Sequence, residues 1–392
     1  MKDICPYCYH EIDRRRLSFA CTGNYAPGRR PCRRTVDEQR LQETGYAEES
    51  YPVFRPPAPD SLLAWWRSHR SRQAYCPFCG GRTGKQACPC CHTPLPSNFR
   101  DSFSPVIGMA GAVSTGKTVY LTVLAQQLTN VLGRRFAADV TVHGDAANAW
   151  IQRHVTAVMD KGRLPALTQQ LDGRSEPLFF EWRRRAPRRS ARYQSTCLSF
   201  LDTAGESLGT KRGIEELKFL AKVHAFIVLL DPFAIRGLAD KMNLPEGRKP
   251  ASEPLSVIQQ VTEVLRMEHA VSDRLDLPIA VVFAKVDELR DVLGPQHPIF
   301  HPAPDRGIYD DEAGRRVHES VRELLLDHQA DDIDRALQSN YRNYRYFAVS
   351  SLGTRPNPDN TLNPGAVRPI RVADPLVWLL AHYGLVPRTR RG

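Results

Sequence analysis

Residues 111–118 read Gly-Ala-Val-Ser-Thr-Gly-Lys-Thr, and no other stretch limits so tightly what this chain can fold into. The pattern is GxxxxGK[ST]. It follows the short apolar run Pro105-Val-Ile-Gly-Met-Ala110, which suits a buried parallel strand. It precedes Val119 to Leu132, where apolar residues recur at helical spacing and Gly133 is the expected stop. Strand, glycine-rich loop and helix in that order form a phosphate cradle. The glycines permit a loop whose N–H groups, from Ala112 to Thr118, converge on phosphate oxygens, and the helix N-terminus adds its dipole. Lys117 would neutralise β- and γ-oxygens, and the Thr118 hydroxyl can ligate Mg2+. Gly111, Ala112, Val113, Ser114, Thr115, Gly116, Lys117 and Thr118 are therefore the expected triphosphate contacts.

More apolar strands follow. Thr196-Cys-Leu-Ser-Phe-Leu201 runs into Asp202-Thr203-Ala204-Gly205-Glu206. An Asp at a strand's C-terminal tip can hold Mg2+ through water, and a glycine three residues later lets a backbone N–H meet the γ-phosphate. Phe226-Ile-Val-Leu-Leu-Asp231-Pro comes next, then Pro278 to Ala284 leading into Lys285-Val286-Asp287, then Tyr346 to Leu352 with Ser350 and Ser351. Pro177 to Arg185 reads as a further strand. Arg183 to Arg192 carries six arginines around Pro187 and is expected to turn as a solvated hairpin, since no aromatic residues alternate through its tip. Leu376 to Gly384 would be the closing helix.

The Asp202-Thr-Ala-Gly205 element resembles switch II of the Ras-like GTPases. With Gly111 to Thr118 and Lys285 to Asp287, it makes an ordered set that resembles a TRAFAC-class GTPase over the C-terminal three quarters of the chain. The resemblance implies roles for particular residues. Lys117, Asp202, Gly205 and Glu206 would be catalytic. Glu206 stands where the family commonly carries a water-orienting Gln, and a carboxylate has no N–H donor, so slow hydrolysis is expected. Lys285 and Asp287 match the guanine-reading [NT]KxD, with Ala284 replacing the polar first residue. Asp287 would face two donors on guanine but an acceptor on adenine, which favours GTP over ATP; Ser350 and Ser351 would cradle the base. Switch I should supply a second Mg2+-binding hydroxyl. Thr168, in Leu164-Pro-Ala-Leu-Thr168, is the favoured residue and Thr156 the alternative. The interval before Asp202, about sixty residues, implies an insertion. Arg163, Arg174 and Arg212 are internal candidates for an activating arginine that another protein could equally supply.

Nine of the ten cysteines precede residue 92. In a reducing compartment that concentration points to metal rather than disulfides. Cys76-Pro-Phe-Cys79 and the Cys88/Cys91 pair give two CxxC-spaced knuckles that resemble a short zinc ribbon, with Cys90 surplus, although it could displace Cys88 or Cys91 as ligand. Cys5-Pro-Tyr-Cys8 with Cys21 and Cys32 gives a looser second set, for which His10 is an alternative ligand. Both sets read as closed structural Zn2+ sites, because neither offers the open position a catalytic ion needs. Tyr51 to Asp60 is dense in proline and reads as spacer; Ser61 to Arg72, with Trp65 and Trp66, is a short helical candidate expected to pack on the neighbouring zinc site.

Charge bears on the partner. The chain carries a formal +11, and residues 1–100 hold 16 basic against nine acidic side chains. Two Zn2+ ions, each held by four thiolates, would lower that local excess of +7 to about +3. Much of the basicity would then balance the metal sites, so nucleic acid is not the favoured partner. The longest apolar stretch, around Ala225 to Leu230, is far shorter than a membrane span. The N-terminus shows no secretory h-region, and a cytoplasmic location is expected.

The expected fold is α/β, a P-loop NTPase with a mostly parallel sheet and helices on both faces, preceded by two small zinc-binding modules. The boundaries are 1–35 for the first zinc module, 36–75 for a spacer and short helix, 76–98 for the zinc ribbon and 104–387 for the nucleotide domain. The leading expectation is a GTP/GDP switch with Mg2+ and two Zn2+. Its alternatives are an ATPase on the same loop and a non-hydrolysing zinc adaptor or nucleic-acid-binding protein. A GTPase domain behind a zinc ribbon is similar to the bacterial double-GTPase families, which implies protein partners such as a second GTPase or an effector encoded nearby.

Overall fold

The structure, a computed structural model, describes residues 3–56, 72–101, 103–112, 114–165, 177–185, 193–202, 222–242, 252–269, 273–357, 359–363 and 365–389. Its centre is a seven-stranded sheet: β1 (Val106–Gly111), β2 (Ala138–His143), β3 (Leu178–Arg185), β4 (Tyr193–Asp202), β5 (Ala225–Leu230), β6 (Ile279–Phe283) and β7 (Tyr344–Ala348). The order across the sheet is β2-β3-β4-β1-β5-β6-β7. From β4 to β7 all neighbours are parallel, while β3 pairs antiparallel with both β4 and β2. Every residue of β1, β5 and β6 is buried, which is why these strands read as unbroken apolar runs.

Alternate residues supply two apolar layers. Ile107 and Met109 of β1 face α1 (Lys117–Gln127) and α6 (Asp374–His382), packing with Tyr120, Leu124, Leu376 and Leu380. Val106 and Ala110 belong to the opposite layer, where α3 (Pro254–His269), α4 (Asp311–Asp327) and α5 (Asp331–Asn340) contribute Val261, Leu325 and Leu337. Among the described residues, the long interval before β3 holds edge strand β2, antiparallel to β3, and α2 (Asp145–Val155), where the insertion is expected.

Gly133 does not stop the first helix. The run continues through a π-turn at Leu128–Leu132 into Gly133–Arg135, with Gly133 itself helical at φ −53°. The chain turns only at Ala137, which takes the left-handed conformation at φ 50°.

The cysteine-rich segments pair differently from expectation. Ser18–Ala20 forms antiparallel bridges with Gln86–Ala87 on one side and with Val53–Phe54 on the other. That zips the start of the segment to its end. Cys5 and Cys8 therefore meet Cys88 and Cys91, and Cys21 and Cys32 meet Cys76 and Cys79, as nested sets instead of two sets consecutive in sequence. The expected spacer also joins this unit as far as residue 56. Thr35–Val36 pairs with Glu49–Ser50, and between them Asp37 caps the helix Glu38–Thr44, which ends at Gly45. Residues 57–71, including Trp65 and Trp66, lie outside the described residues.

The cysteine-rich unit, whose two tetrads could hold zinc, docks on the sheet. Tyr7 stacks on Phe179 of β3 with ring centroids 5.7 Å apart, and Ile4 and Tyr9 join the apolar layer of Val106 and Phe226. Asn98 Nδ2 donates to Glu181 Oε1 at 2.8 Å, and that oxygen also accepts from Ser195 Oγ of β4 at 2.7 Å. His143 Nε2 of β2 lies 3.0 Å from Glu181 Oε2.

Candidate nucleotide site and cysteine tetrads

The parallel strands end level with one another, in the registers Gly111 with Leu229, Leu230 with Phe283 and Phe283 with Ala348. Their C-terminal edge therefore gathers the loops that follow β1, β5, β6 and β7, the edge at which ligands bind in open α/β sheets.

The loop after β1 turns immediately. A Cβ at Gly111 would stand 2.7 Å from the Leu229 carbonyl oxygen, so only glycine lets β1 end this close to β5. Gly116, at φ 87°, is the left-handed entry into α1. Ser114 is also left-handed, at φ 62°. Thr115 Oγ1 donates to the Ala112 carbonyl at 2.9 Å and closes the loop on itself. Buried Lys117 folds back over the loop, its Nζ donating to the Gly111 carbonyl at 2.8 Å and lying 3.4 Å from that of Ala112. The ammonium group is thus held at the centre of the turn, where phosphate oxygens would meet it together with the N–H groups at the start of α1. Thr118 is half-buried on the first helical turn, and its carbonyl accepts from Thr122 Oγ1 at 2.7 Å.

Asp202 closes β4, with its backbone opposite Met109. Val113, Thr168, Arg174, Arg212 and the segment Thr203 to Glu206 with Gly205 lie outside the described residues. Thr156 opens a π-turn after α2, where its carbonyl is taken by Lys161 N–H. Arg163 is exposed in a backbone bridge to Thr361.

At the far end of the edge, Lys285 sits in the left-handed region at φ 55°. Its Nζ donates to Asp231 Oδ2 at 2.7 Å and lies 5.7 Å from the centre of the Phe233 ring. Asp231 is buried at the tip of β5, and its other oxygen accepts from Phe233 N–H at 3.0 Å. Burial pushes the Asp287 carboxyl above its ordinary range, while a hydrogen bond from Ser350 pulls the other way. Ser350 is itself fixed: its Oγ accepts from Gly353 N–H at 2.7 Å, and its backbone bridges to Ile370. Ser351 beside it is half-buried. Lys285, Asp287, Ser350 and Ser351 thus share one region. Sequence reasoning missed Asp231, which clamps Lys285, although a carboxylate closing a buried strand next to the Lys-x-Asp strand was a readable signal. It also missed Arg355, whose Nε donates to Glu288 Oε2 at 2.9 Å beside Asp287.

In each cysteine tetrad the four sulfurs lie within 4.8 Å of one another. The closest pairs are Cys5–Cys91 at 3.7 Å, Cys8–Cys88 at 3.8 Å, Cys21–Cys79 at 3.6 Å and Cys32–Cys76 at 3.8 Å. Thiolates about 2.3 Å from a tetrahedral ion stand about 3.8 Å apart, so both sets fit Zn2+. Backbone N–H groups of Gly23 and Cys90 point at Cys21 and Cys88 sulfurs, at 3.4 and 3.3 Å, as a charged thiolate requires. Burial raises the Cys79 thiol, but the Gly81 amide and the other three sulfurs outweigh it and bring the pKa down to about 7. Cys90 and His10 stand outside both tetrads; His10 lies 3.5 Å from Glu43.

The family model for Double-GTPase 2 matches residues 105–352. The chain belongs to that family. The match takes in the loop at Gly111 to Thr118, Asp202, Asp231, the Lys285 to Asp287 turn and Ser350, and leaves the zinc unit and α6 outside it. Among curated proteins, this Double-GTPase 2 chain is similar to the putative ESX-1 scaffolding and assembly protein SaeC of Mycolicibacterium smegmatis. The two are 29% identical over 329 residues, which cover 77% of this chain and 80% of that protein. Solved structures give fainter likenesses. The SRb-GTP/SRX complex of the signal recognition particle receptor from Chaetomium thermophilum aligns at 15% identity, over 65% of this chain and 94% of that one, with a TM-score of 0.30. Aquifex aeolicus Era bound to GDP.AlF4- aligns at 12% identity over 73% and 58%, with a TM-score of 0.27. Among the described residues, no helix is long and apolar enough to cross a membrane.

Proposed function

We propose that this Double-GTPase 2 protein is a GTP-binding, slowly hydrolysing switch whose zinc unit engages a protein partner. The observation that carries the reading is the pairing of two prepared ends on one sheet edge: Lys117 folded into the phosphate loop, and Asp287 held by Ser350 beside the clamped Lys285. Asp287 would accept from guanine's two donors, and the Lys285 stem, fixed by Asp231, would lie over the base. Thr118 and Asp202, with Thr168, would hold Mg2+, which would supply positive charge to neutralise the phosphates. Gly205 would offer its N–H to the γ-phosphate. Glu206 can orient water only as an acceptor, which fits slow turnover.

A route from site to partner follows from connectivity. β3 and β4 join the segment holding Thr168 to the one that begins after Asp202, and the zinc unit rests on both strands through Tyr7 and Asn98. Nucleotide state would reach the zinc unit through this hairpin. Similarity to a protein described as a putative scaffolding and assembly protein supports a protein partner.

Calorimetric titration with GTP and ATP, on the full chain and on Asp287→Ala, tests the reading. GTP should bind at least about tenfold tighter than ATP, and Asp287→Ala should abolish that preference, as expected when one hydrogen-bonded carboxylate reads the base. Equal affinities for the two nucleotides, or no heat with either, would overturn it.

A further inference from the structure

Nested tetrads sort the zinc unit's charges. Residues 14–36 and 61–100, which supply six of the eight ligands, contain no Asp or Glu at all. Three of the unit's carboxylates, Asp37, Glu38 and Glu43, line a cleft of about 540 Å³. Exposed Arg29, Arg30, Arg33, Arg34 and Arg82 sit in the segments that carry the Cys21/Cys32/Cys76/Cys79 tetrad, whose ion-bound charge would be about −2.

The same end carries three exposed rings: Tyr25 at 57%, Tyr75 at 70% and Phe78 at 64% exposure. They are neighbours. Ala26 N–H donates to the Cys79 carbonyl, and Asn24 abuts Gly81, which places Tyr25 beside the Cys76–Cys79 knuckle bearing Phe78. Exposed Arg29 donates to the Pro77 carbonyl at 3.0 Å, next to Phe78, with exposed Arg30 following it; Tyr75 is registered opposite exposed Arg82. Large apolar rings standing in water among cations suit an occupant that offers flat π-surfaces and negative charge together.

We infer that this end of the zinc unit, formed by Tyr25, Tyr75, Phe78, Arg29, Arg30 and Arg82, binds single-stranded nucleic acid, with bases stacking on the rings and phosphates meeting the guanidinium groups. A protein anchor would be served better by a pocket, whereas stacking needs only an open ring face beside a cation. The site is separate from the nucleotide edge, and the inference stands whether or not GTP binds there.

Fluorescence anisotropy with labelled 20-nucleotide oligo(dT) and oligo(rU), a duplex of equal length and heparin as competitor tests it on the full chain. Single strands should bind more tightly than duplex, with affinity falling as salt rises. Tyr25→Ser/Phe78→Ser should weaken binding about tenfold or more, Phe78→Trp should retain it, and Arg29→Glu/Arg82→Glu should weaken it and flatten the salt dependence. Circular dichroism melts of each variant, matched to wild type, establish that the fold persists at these exposed positions. Three results would each overturn the inference: no binding at low salt, equal binding of duplex and single strand with the ring variant unaffected, or binding only of an acidic, aromatic-rich peptide included as a further arm.

Discussion

The two halves of this molecule are held together by different means. The sheet half stacks two continuous apolar layers on seven strands, many of whose side chains are fully buried. The zinc unit has strands of two or three residues and two small clusters in which cysteine sulfur supplies much of the apolar packing: Ile12, Leu17, Leu95 and Phe99 around one tetrad, Phe19, Phe54 and Ala74 around the other. A core of that size is too small to offset the conformational entropy of ordering its chain, a deficit that metal held by the two tetrads would make good. The sheet half should therefore lose stability by increments, and the zinc unit in whole tetrads.

The strongest test of that contrast removes metal. Zinc content should be about two per chain, and each site carries on the order of 10 kcal/mol of folding free energy. Cys5→Ser/Cys91→Ser should lose one ion and keep the other, because both cysteines serve the same tetrad. Ligation in consecutive sets would lose both ions, so metal analysis of this one variant decides the pairing.

A smaller effect is expected in acid, within the sheet half. His318 stacks on Tyr346, accepts from its N–H at 3.1 Å, and is pushed by burial down to about 4 from an ordinary 6.5. The folded state thus keeps a neutral ring while the unfolded chain takes up a proton. Stability from this residue is fully present well above pH 6.5 and drains away as pH falls toward 4, by about 3 kcal/mol in all. Urea unfolding at pH 7.5 and 4.5 should show a smaller acid loss in His318→Gln than in wild type.

The least change should come from the seam between the halves. Asn98→Ala leaves Glu181 with Ser195 and His143 but without its link to the zinc unit, and should cost about 1–2 kcal/mol. If the seam couples the halves, unfolding followed by tyrosine fluorescence and by released zinc should separate in Asn98→Ala more than in wild type.

Much of the sheet half was legible because its signals are local. Apolar runs bounded by Asp202, Asp231 and Lys285 mark strands whose ends face the site, and the glycine loop announces its own backbone geometry. What escaped depended on distant partners. Eight ligands could be named from spacing, yet their sorting rests on Ser18–Ala20 meeting Gln86–Ala87, a pairing of very short strands with no pattern of its own. The Asp231 clamp joins residues 54 positions apart, and Gly133 looked like a stop only because nothing nearby revealed that the left-handed turn belongs to Ala137.

The nested arrangement also bears on how the chain emerges from the ribosome. Cys5 and Cys8 leave the exit tunnel first, yet their mates lie 80 or more residues behind them. While they wait, Cys21 and Cys32 are the nearest thiols in sequence, and an ion taken there would have to be surrendered before the nested sets could close. Because Cys79 precedes Cys88, the inner tetrad has all its ligands first, and closing it would bring the two ends of the segment into position for the outer one.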